Sequence, residues 1–103
     1  MQIDVIKSFI HERKIGWSLH SAQMMQKRGI SRQDVLHCLE NGEIIEDYPE
    51  SFPHPGCLVF GYDLKETVLH VVVGIKNDIL MIITTYYPDT EKFESDLRTR
   101  RKQ

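Results

Sequence analysis

The stretch Leu58-Val-Phe-Gly-Tyr-Asp-Leu-Lys-Glu-Thr-Val-Leu-His-Val-Val-Val-Gly-Ile-Lys-Asn-Asp-Ile-Leu-Met-Ile-Ile-Thr-Thr-Tyr-Tyr87 gathers most of the β-branched and aromatic residues of the chain. Only two short polar breaks cut it, at Lys65-Glu66 and at Asn77-Asp78. The pattern predicts three antiparallel strands joined by tight hairpins, because Asn and Asp accept the positive φ that primed two-residue turns require.

With two-residue turns the pairing follows by counting. Tyr62 falls opposite Leu69, Gly61 opposite His70, and His70 opposite Thr85. Side chains alternate across a strand, so one face carries Leu58, Phe60, Tyr62, Leu69, Val71, Val73, Ile75, Leu80, Ile82, Thr84 and Tyr86 as the core. The other carries Val59, Gly61, Val68, His70, Val72, Gly74, Met81, Ile83, Thr85 and Tyr87. Glycines beside a histidine leave room for a ligand on that second face. The alternative is that Gly61 and Gly74 mark bulges or close backbone crossings, with His70 an ordinary half-buried sheet residue.

On the N-terminal side of this stretch the chain reads as helical. Ile3, Ile6, Phe9 and Ile10 recur at helical spacing, which predicts a helix over 2–14 ended by Gly16. Ser18 is an N-cap for a second helix running to Arg28, with Gly29 just past its end. Ser31 with Asp34 three residues on is a variant capping box, and it opens a third helix to Asn41 that Gly42 terminates. Ile44 and Ile45 before Tyr48-Pro49 predict a short edge strand, and the loop Ser51-Phe-Pro-His-Pro-Gly56 is too proline-rich for regular structure. Beyond the sheet, Pro88 ends the last strand. Asp89 or Thr90 then caps an expected C-terminal helix bearing Phe93 and Leu97. The element order predicts an α+β fold, a twisted antiparallel sheet of three to four strands in one domain spanning 1–103.

Composition sets outer bounds. The 103 residues are 41% hydrophobic and 27% charged, the balance of a globular protein that needs no disulfide staples. No apolar run approaches the roughly 20 residues of a membrane span, and the N-terminus has charges where a signal peptide needs a continuous apolar region. The expected compartment is cytoplasmic, with Cys38 and Cys57 as reduced thiols. A net charge of −2 argues against coating nucleic acid by charge alone. The charges are nevertheless segregated. Lys7, Arg13, Lys14, Lys27, Arg28 and Arg32 dominate the early chain, Glu40, Glu43, Glu46, Asp47 and Glu50 follow without a basic residue between them, and Arg98, Arg100, Arg101 and Lys102 form a basic tail.

Candidates for chemistry are few. On the second helix His20, Met24, Lys27 and Arg28 share one side, where a phosphate could be held; equally, this is a solvated flank of lysine and arginine. His54 and Cys57 would make half of a zinc site, with no second close pair to complete it, so no metal and no cofactor is expected. Neither a G-x-S-x-G nucleophile elbow nor a phosphate-cradling glycine loop is present.

The run from Ser18 through His20, Ala22, Arg28, Gly29, Ile30, Ser31, Asp34 and Val35, then Leu39 to Pro49, resembles a small bacterial family catalogued as a domain of unknown function. Leu69-His70-Val-Val-Val and Ile82-Ile-Thr-Thr-Tyr86-Tyr87-Pro88-Asp89 fit the same pattern. That family is similar in element order and strand motifs to the RelE/BrnT-like ribonuclease toxins of toxin-antitoxin pairs. The resemblance implies a helix-plus-twisted-sheet fold, messenger RNA as substrate and a neutralising antitoxin as partner. Such an endoribonuclease uses the RNA 2′-hydroxyl as nucleophile, so the protein supplies only proton transfer and positive charge. His70 and His20 are the proton-transfer candidates, Arg28 the phosphate stabiliser and Tyr87 a stacking or hydrogen-bonding residue, with Lys27, Thr85 and Gly61 along the RNA. The competing class is a non-catalytic RNA- or protein-binding module of the same fold.

Overall fold

The computed structural model describes residues 1–50 and 54–102, so the first half of the expected proline-rich loop lies outside the described residues. Three helices, α1 (Ile3–His11), α2 (Leu19–Arg28) and α3 (Arg32–Asn41), pack on a sheet of five strands. The strands are β1 (Ile15–Trp17), β2 (Glu43–Tyr48), β3 (Gly56–Tyr62), β4 (Val68–Lys76) and β5 (Ile79–Tyr86), in the spatial order β1-β5-β4-β3-β2. The fold is α+β. Among the described residues no helix is long and apolar enough to cross a membrane.

Local sequence explains the helix ends. Ser18 Oγ accepts from the Ser21 N–H at 3.0 Å, and Gly29 closes α2 at φ 68°, the left-handed region where a Cβ is costly. At α3, Ser31 and Asp34 cap each other reciprocally: Ser31 Oγ accepts from the Asp34 N–H, and Asp34 Oδ2 accepts from the Ser31 N–H, both at 3.0 Å. Helix α1 ends at His11, short of the expected residue 14, because Arg13 turns at φ 59° and releases Ile15–Trp17 to pair in parallel with Leu80–Ile82. That strand, β1, was not expected from the sequence. The predicted edge strand is present as β2, with a bulge between Ile44 and Glu46.

The central hairpins correct the predicted register. Between β3 and β4 the connection is five residues long, 63–67, because the Asp63 carboxylate accepts from the Lys65 and Thr67 N–H groups at 2.8 and 2.9 Å and the Asp63 N–H bonds the Thr67 carbonyl. Tyr62 therefore pairs with Val68, Gly61 with Leu69 and Phe60 with His70. A one-residue slip moves a strand's side chains to the other face. Val59 and Gly61, not Phe60 and Tyr62, accordingly share the helix-covered face with Leu69, Val71 and Val73.

Between β4 and β5 the two-residue turn at Asn77-Asp78 forms as predicted, both residues at positive φ, and the pairing holds as far as Val73 with Ile82. Ile83 then bulges out and shifts the remainder, so His70 pairs with Tyr86 and not with Thr85. Thr85 is turned into the core.

The helix-covered core gathers Ile6, Met25, Val35, Cys38 and Leu39 against Cys57, Val59, Leu69, Val71, Val73, Leu80 and Ile82. The opposite face is covered differently. The expected C-terminal helix does not form; residues 88–102 make a strap of turns with one isolated bridge, Phe93 to Arg100. Asp89 and Asp96 carboxylates accept from the backbone N–H groups two and three residues on, a local alternative to helix, and Leu97 sits at φ 58°. Phe93 anchors the strap and is 1% exposed. An isolated helix of this length is marginal, so the burial of one aromatic ring outweighs the i, i+4 spacing of Phe93 and Leu97.

Candidate functional site

The strap and the end of β5 enclose a cleft of about 440 Å³ lined by Arg28, Tyr86, Tyr87, Pro88, Asp89, Lys92, Phe93 and Arg100. Each cation arrives by a different route. Arg28 stands at the last turn of α2, where its Nη1 donates to the Thr85 carbonyl at 2.8 Å, the one side-chain hydrogen bond it makes among the described residues, and a guanidinium has further N–H donors to offer a ligand. Arg100 reaches the cleft from the strap and is oriented by Glu46 on β2, whose carboxylate accepts from Nε and Nη2 at 3.1 and 3.0 Å. This bidentate pairing, with a further hydrogen bond from Tyr48, holds the Glu46 carboxyl below its ordinary range. Lys92 comes from the strap's first turn.

Two tyrosines supply the aromatic wall. Tyr87 donates its hydroxyl to Asp63 Oδ2 at 2.8 Å; burial first, and then the carboxylate it faces, push its pKa up to about 12. Burial pushes the Asp63 carboxyl the other way from its hydrogen bonds, but the donors from Thr67, Tyr87 and Lys65 outweigh it and keep the group ionised below its usual range. Tyr86 is half-buried and lies 3.4 Å from His70 Nδ1 through its hydroxyl.

His70 stands directly behind Tyr86 and is fully buried. Its Nε2 bonds the Leu97 carbonyl of the strap at 2.7 Å, and since a carbonyl only accepts, Nε2 carries the proton. Burial lowers its pKa, against the Leu97 hydrogen bond and the Glu46 charge, so the ring is neutral.

The residues singled out from the sequence are thus divided among three places. Arg28 and Tyr87 line the cleft. His70 pairs with Tyr86 and shares its face, sealed under the strap. His20 is exposed on α2, which packs on the opposite face of the sheet, so the two histidines are not brought together. Lys27 is exposed on the same helix outside the cleft lining. Thr85 is buried on the helix side, its Oγ1 donating to the His70 carbonyl at 2.8 Å.

Gly61 leaves no open patch beside His70. It lies under α3, where a methyl on its Cα would come 2.7 Å from both the carbonyl oxygen and Sγ of Cys38. This glycine permits a close helix crossing, the alternative raised from the sequence.

Lys92, Arg100 and Tyr86 were not foreseen as site residues. The two cations belonged to a segment read as helix and basic tail, and Tyr86 was assigned to the core because the Ile83 bulge is invisible to an alternation count.

With this geometry in view, comparison with protein families gives a match to the domain of unknown function DUF4258 over residues 17–87. The chain belongs to the DUF4258 family. Comparison with curated proteins and with solved structures gives no match. The DUF4258 match runs from the end of β1 to Tyr87 and so contains Arg28, Tyr86 and Tyr87. It stops short of the strap, which brings Lys92, Phe93 and Arg100 to the DUF4258 core.

Proposed function

We propose that this protein binds RNA in the cleft between β5 and the strap and, as its resemblance to the RelE/BrnT-like toxins suggests, cleaves it without a metal ion, with an antitoxin as the partner that restrains it. The observation that carries the reading is the cleft itself, where Arg28, Lys92 and Arg100 converge beside Tyr86 and Tyr87. Guanidinium groups match phosphate oxygens with paired donors, and phenol rings stack on or hydrogen-bond to bases. As the 2′-oxygen attacks phosphorus its proton passes to solvent, these cations offset the charge that builds on the phosphorane oxygens, and the bond to the 5′-oxygen breaks, that oxygen taking a proton from water as the 2′,3′-cyclic phosphate forms.

One observation favours the second reading, a binding module without turnover. The cleft presents phenols and cations, whereas the nearest imidazole, His70, is sealed behind Tyr86.

The test is incubation of the purified protein with a mixed-sequence RNA in excess EDTA, followed by end analysis. Cleavage leaving 2′,3′-cyclic ends supports the ribonuclease; intact RNA with retained binding assigns the module. In either case Arg28→Ala should weaken RNA binding roughly 10- to 100-fold, the loss expected for a hydrogen bond to a charged group. The salt slope should fall by about 0.7. An unchanged slope in a folded variant would remove Arg28 from the interface. Co-expression with a neighbouring reading frame that relieves growth arrest would supply the partner.

A further inference from the structure

The register that misplaced His70 has aligned a row of rings across the middle of the sheet. Phe60 on β3 pairs with His70 on β4, and His70 with Tyr86 on β5, so three rings from three adjacent strands stand side by side on one face. Their centroids are 5.9 and 5.3 Å apart, and Tyr62 extends the row by a further 5.7 Å beyond Phe60. Rings in such a row are sequence-tolerant surfaces for stacking unpaired bases.

What lies on the row now is the strap. Phe93 stands edge-on against His70 at 4.7 Å, and the Arg98 guanidinium lies over Phe60 at 4.0 Å. An aromatic ring and a planar guanidinium are the protein groups closest in shape to a stacked base.

The cover is partial and weakly fastened. The 440 Å³ cleft opens on the Tyr86 end of the row, and a smaller cavity of about 140 Å³ opens on the Phe60 and Tyr62 end. Between these openings His70 and Phe60 are covered, at 0% and 4% exposed, whereas Tyr86 is half-buried and Tyr62 exposed. The strap's polar fastenings to β2 are the exposed ion pair of Arg98 with Glu43 and the bidentate pair of Arg100 with the half-buried Glu46. An exposed pair such as the first contributes little to holding the strap closed. The strap also lies outside the residues that define the family match.

We infer that the Phe60–His70–Tyr86 row is a stacking platform for single-stranded RNA, and that the strap occupies it in cis as a displaceable autoinhibitory cover. The inference rests on the RNA reading above and deepens it. Phosphates enter at the Arg28 end, and bases displace Phe93 and Arg98 along the row. Each base stacked on a ring replaces a contact of the strap with a stacking contact of its own.

The test uses the full chain and its Glu43→Gln/Glu46→Gln variant, which loosens the strap without altering the row. Carbethoxylation by diethyl pyrocarbonate reads opening in the absence of RNA. Exposed His20 is the internal standard for reactivity, and the buried thiols of Cys38 and Cys57 report global unfolding. His70 should react about three- to tenfold faster in the double variant, as expected for loss of the two ion pairs, while both thiols stay protected.

Anisotropy then compares a mixed-sequence single-stranded 12-mer RNA with a duplex of the same length. The double variant should bind the single strand more tightly by a similar factor, with a smaller change for the duplex, and adding Phe60→Leu should remove that gain. Equal gains for both RNAs would reduce the effect to lost negative charge and overturn the platform. His70 reacting only together with the cysteines would overturn the displaceable cover. If neither RNA binds, the RNA reading has failed and the platform with it, whereas the histidine footprint still decides whether the strap opens.

Discussion

The two faces of the sheet are closed by different physics. Three helices, α2 and α3 with side-chain caps, close one face, meeting it through aliphatic side chains such as Val35, Leu39, Val71 and Ile82 that are fully buried. A strap without helix closes the other, held among the described residues by the buried Phe93 ring, the His70-to-Leu97 hydrogen bond, the Arg98 guanidinium over Phe60 and the ion pairs of Arg98 and Arg100 with β2. Close-packed aliphatic contact makes the first face a cooperative unit, whereas the second is closed over a few buried side chains, Leu58, Phe60, His70 and Phe93, by a segment without regular structure. The candidate site sits where the weak cover meets the rigid sheet. That placement suits function, since ligands need a scaffold that holds still and a neighbour that yields.

The contrast can be broken most directly at the helix face. Leu39→Ala should cost about 2–5 kcal/mol of global stability, the range for deleting a fully buried leucine. Chemical denaturation measures it; a loss below about 1 kcal/mol would mean that this face is no better packed than the strap.

Gly61→Ala comes next. Its methyl would crowd the Cys38 backbone, so a loss of about 1–3 kcal/mol is expected, with α3 lifted from β3. Unperturbed stability would show the crossing to be slack.

Acidification should weaken the strap over a defined window. Burial holds the folded-state pKa of His70 below its ordinary 6.5, so the open form takes up a proton more readily than the closed one. The closed strap is therefore fully favoured above pH 6.5 and loses stability as pH falls from there toward the lowered value. Glu46 faces the same region and favours the charged ring, while Arg100 opposes it. Protection factors of the Glu94 and Arg101 amides, which bond within the strap, should fall across this range in the parent chain and stay flat in His70→Gln. Unchanged protection across this range in the parent chain would show that opening of the strap does not free the His70 ring.

The smallest effect belongs to Glu46→Gln, at most about 1 kcal/mol by thermal denaturation. Because the Glu46 pKa is lowered from 4.5, its contribution is present above that value and disappears as pH falls through the folded-state pKa. The parent and the variant should therefore converge in acid; a difference that persists there would assign the effect to packing.

Local chemistry determined much of the architecture from the sequence alone. Ser18 and Gly29 bound α2, and the Ser31–Asp34 box starts α3, because caps satisfy backbone groups within a few residues of themselves. The Asn77-Asp78 turn closes its hairpin by the same kind of local preference, and Arg28 and Tyr87, both singled out from the sequence, line the cleft. The rest was decided by tertiary structure. Asp63 lengthened one hairpin through its own hydrogen bonds and Ile83 bulged in β5, and each shift of one residue reassigns every side chain beyond it to the opposite face. His70 was thereby placed in a buried aromatic row and Gly61 under a helix. The strap likewise took its form from the surface it covers, since a ring buried at Phe93 and a carbonyl offered to His70 stabilise a path that no periodicity within residues 88–102 encodes.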